Sequence, residues 1–416
     1  MARPPEPGGP AGGTRPVAVP PPPGNGRRTA PLALPDLLMS AAFRNIAYQI
    51  LACLLVVAVG WYLIDNTLTN LARQNIATGF GYLGREASFG ISEAMIPYEA
   101  TDSYGRALMV GILNTVKVAV LGIFLASILG LIVGIAQLSP NWLLARLAGM
   151  YVGLFRNLPV LLQLVFWMAI LRSALPHPRQ AEPFGPDIYL TNRGLYFPWP
   201  EWQGALPAIA TGLLLGLLAA LLIRRWARRR QAATGATFPV VWAGLGAVAV
   251  LTFGGWLAGG APVAFDAPSL QGFNLQGGAR MTPEFAAVLL GLTVYTSAFI
   301  AEVVRAGIKA VPRGQWEAAD SLGLRRAQVM RQVVLPQAMR VIIPPLTNQY
   351  LNLTKNSSLA VAVGYPDLVS ISNTTLNQTG QAIEAIAIFM AIYLGLSLLT
   401  SLFMNWFNAR MALVER

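Results

Sequence analysis

Eight apolar runs, each close to the roughly 20 residues that carry a helix across a bilayer, constrain this chain more than any other feature. They cover residues 48–64, 118–138, 150–171, 206–223, 240–257, 285–304, 341–363 and 383–406. The runs are long rather than striped, though Asn157 and Pro159 interrupt the third, and Pro344, Pro345 and a polar patch interrupt the seventh. In hydrocarbon only a helix or a closed barrel satisfies its own backbone, and runs of this length select helices. Composition agrees: 55% of the residues are hydrophobic and only 12% charged, against about 25% charged in ordinary soluble domains. A large soluble helical protein is excluded on those grounds. The expected fold class is an all-α polytopic membrane protein with about eight transmembrane helices.

The net charge of +12 fits cytoplasmic loops that collect Lys and Arg better than it fits nucleic-acid binding. Arg27, Arg28, Arg44, Arg146, the arginines of 224–230, the basic residues of 305–340, Arg410 and Arg416 fall on one side. Asp65, Glu86, Glu93, Glu99, Asp102, Glu182, Asp187, Glu201 and Asp266 fall on the other. The alternation places both termini in the cytoplasm. Residues 1–40, rich in Pro, Gly and Ala, read as a disordered cytoplasmic tail without the pattern of a signal peptide. Residues 41–106 read as an extra N-terminal span with a periplasmic segment. Residues 107–416 form the main body. The periplasmic stretches 65–106 and 172–203 read as short interfacial helices and turns. The fourth and fifth runs hold only Thr211 and Thr252 as polar residues at depth, so they read as a lipid-facing pair inserted at about 204–260 into a core of five helices. Cys53, the single cysteine, excludes a disulfide framework. His177, the single histidine, sits between Pro176 and Pro178 and is assigned no role. No metal site and no catalytic residue is expected.

The loop at 311–336 is the most informative segment. Pro312 and Gly314 open a helix, and Gly323 closes it in the left-handed conformation. Glu317 and Asp320 lie early in it, where the helix dipole favours anions. Ala318 and Ala319 offer a surface small enough for another protein to approach, with Trp316 and Leu322 as apolar contacts. From these residues alone, a docking element and an ordinary amphipathic loop helix remain equal readings. The loop resembles the EAA signature of ATP-binding cassette (ABC) importer permeases: Glu-Ala-Ala, three residues, Gly, nine residues, an aliphatic residue, one residue, Leu-Pro. Glu317, Ala318, Ala319, Gly323, Val333, Leu335 and Pro336 meet every position. Further stretches resemble polar amino acid permeases: Asn114-Thr115, Phe155-Arg156-Asn157-Leu158-Pro159, residues 346–358 and 364–416. The extra span, the inserted pair and the closing residues 412–416 resemble the general L-amino acid and glutamate/glutamine/aspartate/asparagine permease subgroup.

The resemblance implies a type I ABC importer transmembrane domain that moves L-amino acids from periplasm to cytoplasm in the bacterial inner membrane. It implies that Gln315, Trp316, Glu317, Ala318, Ala319, Asp320, Leu322, Gly323, Leu335 and Pro336 form the coupling site for an ABC ATPase dimer. It further implies a homologous second permease subunit and a periplasmic solute-binding protein. The chain carries no phosphate-binding loop of the Gly-x4-Gly-Lys-Ser/Thr type, so ATP and Mg are expected on the partner ATPase and no cofactor here.

Spacing identifies a candidate solute pathway. Asn348, Asn352 and Lys355 recur at i, i+4, i+7, with Gln349 and Asn356 on the adjoining strip. Tyr295, Phe299 and Glu302 share a stripe on the preceding span. Polar groups at such depth face a wet cavity, or else they bond between helices. Arg156, Asn157 and Pro159 mark a helix break, read equally as a gate or a plain kink. Glu302 and Arg305 read as a structural pair, and Lys117 as snorkelling at the outer surface. Two other classes compete. A secondary transporter needs internal repeats and deep carboxylates, and neither is evident. An intramembrane enzyme needs a nucleophile with a base, or metal ligands, and no Asp lies deep in a span.

Overall fold

The computed structural model describes residues 41–73, 78–202 and 204–411. The expectations for 1–40 and for 412–416 lie outside the described residues. The chain divides into two compact units, 1–75 and 76–416. In the first, α1 (Ala41–Arg73) is a single 33-residue helix with apolar side chains exposed on every side. An all-round apolar helix with no buried window is one that lipid surrounds. Asp65 therefore sits within a helix, where a loop was expected.

The second unit is built on two long helices. Helix α2 (Tyr104–Ala136) begins at Ser103, whose side chain accepts the backbone N–H of Arg106. Helix α7 (Pro283–Lys309) begins at Thr282, which accepts from the N–H of Phe285. Both starts are N-caps, each satisfying a donor left orphaned at a helix end. The helices touch backbone to backbone: a Cβ on Gly130 would lie 2.6 Å from Cγ2 of Ile300, and one on Gly134 would lie 2.8 Å from the Ala301 carbonyl oxygen. Small residues permit this approach where dispersion, not water expulsion, holds helices together. Around the seam lie Val118, Leu164, Phe285, Leu292, Ile300, Ile342 and Leu353, all buried.

The run expected as one span at 150–171 is two helices, α3 (Trp142–Asn157) and α4 (Val160–Ser173), meeting at 105°. Leu158 is extended (φ −94°, ψ 131°) because the ring of Pro159 disfavours the helical region for the residue before it. The turn is held by Gln163, which is buried and donates to the carbonyls of Phe155 and Leu158, each at 3.1 Å. The break anticipated at Arg156, Asn157 and Pro159 is thus real, and it divides the span.

Helix α9 (Leu335–Asn356) runs between α7 and α11 (Ala382–Met411) and tightens into a 3-10 turn, Ser357–Val363. It is the expected seventh run. Six described helices are long and apolar enough to span a bilayer, or seven counting the bent pair; α9 falls below that threshold because of its amides. Helix α10 (Leu368–Thr379) then lies across the end of α2.

Helices α5 (Leu206–Thr234) and α6 (Val240–Ala258) form a hairpin, the pair expected as an insertion. Here glycine again decides the fit, because a Cβ on Gly212 would meet the Leu251 carbonyl oxygen at 2.3 Å. The stretch 172–203 does not form the interfacial helices expected, and the segment after the hairpin joins it. They pair as short antiparallel strands: β1 (Tyr189–Thr191), β2 (Gly194–Phe197) and β7 (Ala279–Met281) in one sheet, β3 (Trp199–Pro200) with β4 (Phe265–Asp266), and β5 (Ser269–Gln271) with β6 (Asn274–Gln276). This β neck ties the start of α5, the end of α6 and the start of α7 together. Helices α5 and α7 therefore both run away from the neck, toward the same side as residues 311–336.

Candidate functional site: a docking helix and a polar helix face

Helix α8 (Arg313–Ser321) is the short helix expected in the loop after α7. Pro312 precedes it, and the backbone N–H of Gln315 donates to the Pro312 carbonyl at 3.0 Å. At its other end Gly323 is left-handed (φ +70°). The N–H of Gly323 donates to Asp320 and that of Leu324 to Ala319, the paired bonds of a Schellman cap. Both ends are fixed by the chain itself.

The two alanines do not share a surface, contrary to the expectation. Ala319 is 3% exposed and faces the protein, where Trp316 and Leu324 pack on the main cluster beside Val329 and Val334. Ala318 faces outward with Gln315, Glu317, Asp320 and Leu322, and Leu322 is 78% exposed. Trp316 thus anchors the helix to its own core, and Leu322 is the apolar group left free. Gln337 donates to the Gln315 side-chain oxygen at 3.1 Å, clamping α8 to the base of α9. Residues 329–334 between them form a π-helical stretch, a rare form that recurs frequently at functional sites. Leu335 and Pro336 open α9, with the proline in its first turn, where no backbone donor is needed.

On α9 the expected polar stripe is present. Asn348, Asn352 and Lys355 are exposed, with Gln349 and Asn356 half-buried; Ile342, Ile343 and Leu353 on the other side are buried. None of the five polar side chains has a hydrogen-bond partner among the described residues. Bonding between helices of this chain therefore does not account for them. Tyr295 and Phe299 on α7 lie 4.9 Å apart, ring to ring, both half-buried. The Arg156 guanidinium sits 5.1 Å from the Phe299 ring centre, so the bend between α3 and α4 delivers a cation to that stripe. Glu302 pairs with Arg305 as expected.

Three contacts escaped the sequence reading. Ser127 on α2 bonds the Tyr350 hydroxyl at 2.8 Å. Tyr151 bonds Ser297 at 2.7 Å and the Val294 carbonyl at 3.2 Å, pinning α3 to α7. Lys117 does not snorkel: its ammonium pairs with Glu93 at 2.5 Å and stands 4.0 Å above the Phe285 ring. No periodicity marks isolated hydroxyls, and the partner of Lys117 lies in a loop whose path is not written in its pattern. His177 accepts or donates one exposed bond with Asn192 at 3.1 Å.

A bundle of apolar helices with a capped amphipathic helix at one end and an exposed, unpartnered amide face suits a membrane permease subunit, and its likeness to known proteins places the chain in that class. The family is specific. Residues 212–413 match the model of the binding-protein-dependent transport system inner membrane component. The chain is 51% identical over 374 residues to the general L-amino acid transport system permease protein AapQ of Rhizobium johnstonii, spanning 90% of this chain and 94% of that protein. It is 49% identical over 379 residues to the putative amino-acid ABC transporter permease protein YhdX of Escherichia coli strain K12, covering 89% and 94%. It is 40% identical over 412 residues to the glutamate/glutamine/aspartate/asparagine transport system permease protein BztB of Rhodobacter capsulatus, covering 91% and 96%. The chain belongs to the family of binding-protein-dependent inner-membrane transport components.

Proposed function

We propose that this chain is the translocating subunit of an ABC importer for L-amino acids, paired with a homologous permease and driven by an ABC ATPase dimer docked on α8. ATP and Mg act on the ATPase, and a periplasmic binding protein delivers the solute. The observation that carries the reading is the outward surface of α8: Glu317, Ala318, Asp320 and Leu322 are exposed beside Gln315, on a helix held from behind by Trp316 and Ala319 and by the Gln337–Gln315 bond. A mobile or buried helix could not transmit force; this one is exposed in front and fixed at both ends.

The solute path in this reading runs along Asn348, Gln349, Asn352, Lys355 and Asn356 of α9, with Tyr295 and Phe299 of α7 beside them. Amides and one ammonium suit a zwitterion: the ammonium of Lys355 attracts a carboxylate, and carboxamide oxygens accept from an α-amino group. In a membrane, such a face demands water or a second protein against it, which agrees with a permease pair enclosing the path.

The test is reconstitution of the co-purified complex in liposomes with binding protein outside and ATP inside. Ala318→Glu should leave the chain folded, yet lower both ATPase retention and uptake by about tenfold or more, as for a hot-spot contact at the centre of an interface. Uptake at the parental rate in that variant would refute the docking role.

A further inference from the structure

The α5–α6 hairpin carries a charge pattern that the transport reading does not use. Arg224, Arg225, Arg228, Arg229 and Arg230 fall within seven residues at the far end of α5, all exposed. None forms an ion pair among the described residues, and the sequence holds no Asp or Glu anywhere from 202 to 265. Arg224 and Arg228 share a helix face, as do Arg225 and Arg229, each pair one turn apart.

The depth of this cluster follows from length and from the aromatic residues beside it. Twenty-nine residues make α5 about 43 Å long at 1.5 Å per residue, whereas the hydrocarbon core is about 30 Å thick. The last turns must emerge from it. Trp226 stacks edge-on against Phe238 at 5.2 Å, and Trp242, across the hairpin tip, is 77% exposed. Indole rings settle at the headgroup level. Directly below them α5 exposes Leu214, Leu217, Leu218, Leu221 and Leu222. Guanidiniums at headgroup depth above a bare leucine face present a phosphate with five-donor forks and give the acyl chains a surface to lie on.

We propose that the tip of the α5–α6 hairpin is a binding site for anionic phospholipid, with the lipid phosphate held by Arg224, Arg225, Arg228, Arg229 and Arg230 and its acyl chains along the leucines of α5. A water-soluble protein or nucleic acid is the less fitting occupant, because the collar of Trp226, Phe238 and Trp242 sets the cluster level with the headgroups.

The test uses the full chain, with whatever subunits co-purify, in bilayers of equal parts phosphatidylcholine and phosphatidylglycerol. Native mass spectrometry then reads the retained lipid. The parent should retain phosphatidylglycerol preferentially, and R228Q/R229Q/R230Q should lower that preference by about tenfold or more, since each basic side chain near a charged surface contributes roughly fivefold. R228K/R229K/R230K keeps the charge that sets membrane orientation, so it controls for misinsertion; it should keep most of the preference and lose it as salt is raised. Equal retention of the two lipids by the parent would overturn the proposal, because the arginines would then serve orientation alone. So would a preference unchanged in the Gln variant, or one in the Lys variant that salt does not weaken.

Discussion

Adjacent residues in α8 make opposite contributions, and the difference separates docking from folding. Ala318 faces out and Ala319 faces the core. Ala319→Glu should unfold the loop by burying an unpaired carboxylate, a cost of several kcal/mol, and the variant should be recovered in reduced amount. Ala318→Glu should be recovered normally and fail only in assembly and uptake. On α9, Asn352→Ala and Lys355→Ala should leave the melting temperature unchanged, since neither side chain has a partner among the described residues, while uptake and substrate-stimulated ATP hydrolysis fall; normal transport with unchanged selectivity in both variants would remove them from the path.

At the scale of elements, spacing and punctuation carried far. The start and stop of α8 were legible because Pro312 and Gly323 each impose a backbone conformation that few other residues accept, and the stripe on α9 was legible because amides are conspicuous in an apolar run. Orientation of side chains around α8 was not legible: nine residues give too little periodicity to say which alanine turns inward. The β neck was missed because its strands are two to four residues long, and half of their partners lie beyond the hairpin. The bend at Leu158 was visible as Pro159, but its angle depends on Gln163, whose carbonyl partners no local pattern names. The glycines of the hairpin make a prediction of their own. Gly255→Ala would set a Cβ 2.4 Å from the Ala208 carbonyl oxygen, and overpacking of that kind costs about 1–3 kcal/mol, so the purified variant should melt measurably lower.

At the scale of the whole molecule, the neck fixes which ends lie together, and the excess of basic residues predicts which side faces the cytoplasm. In a Cys53→Ser background, Gln271→Cys in the neck should react with a membrane-impermeant thiol reagent on intact cells, and Gln231→Cys at the hairpin tip should not. The reverse labelling would invert the molecule and with it the role of α8. The two helices bearing the candidate path residues are joined through α8: by Ala310, Val311 and Pro312 on the α7 side, and on the other by the capped turn at Gly323 and the π-helical stretch before Leu335, with Gln337 bonded back to Gln315. If an ATPase docks on α8 as proposed, a pull on its outer face would be felt by the aromatic pair of α7 and the amides of α9 together, as one string works both shutters of a window.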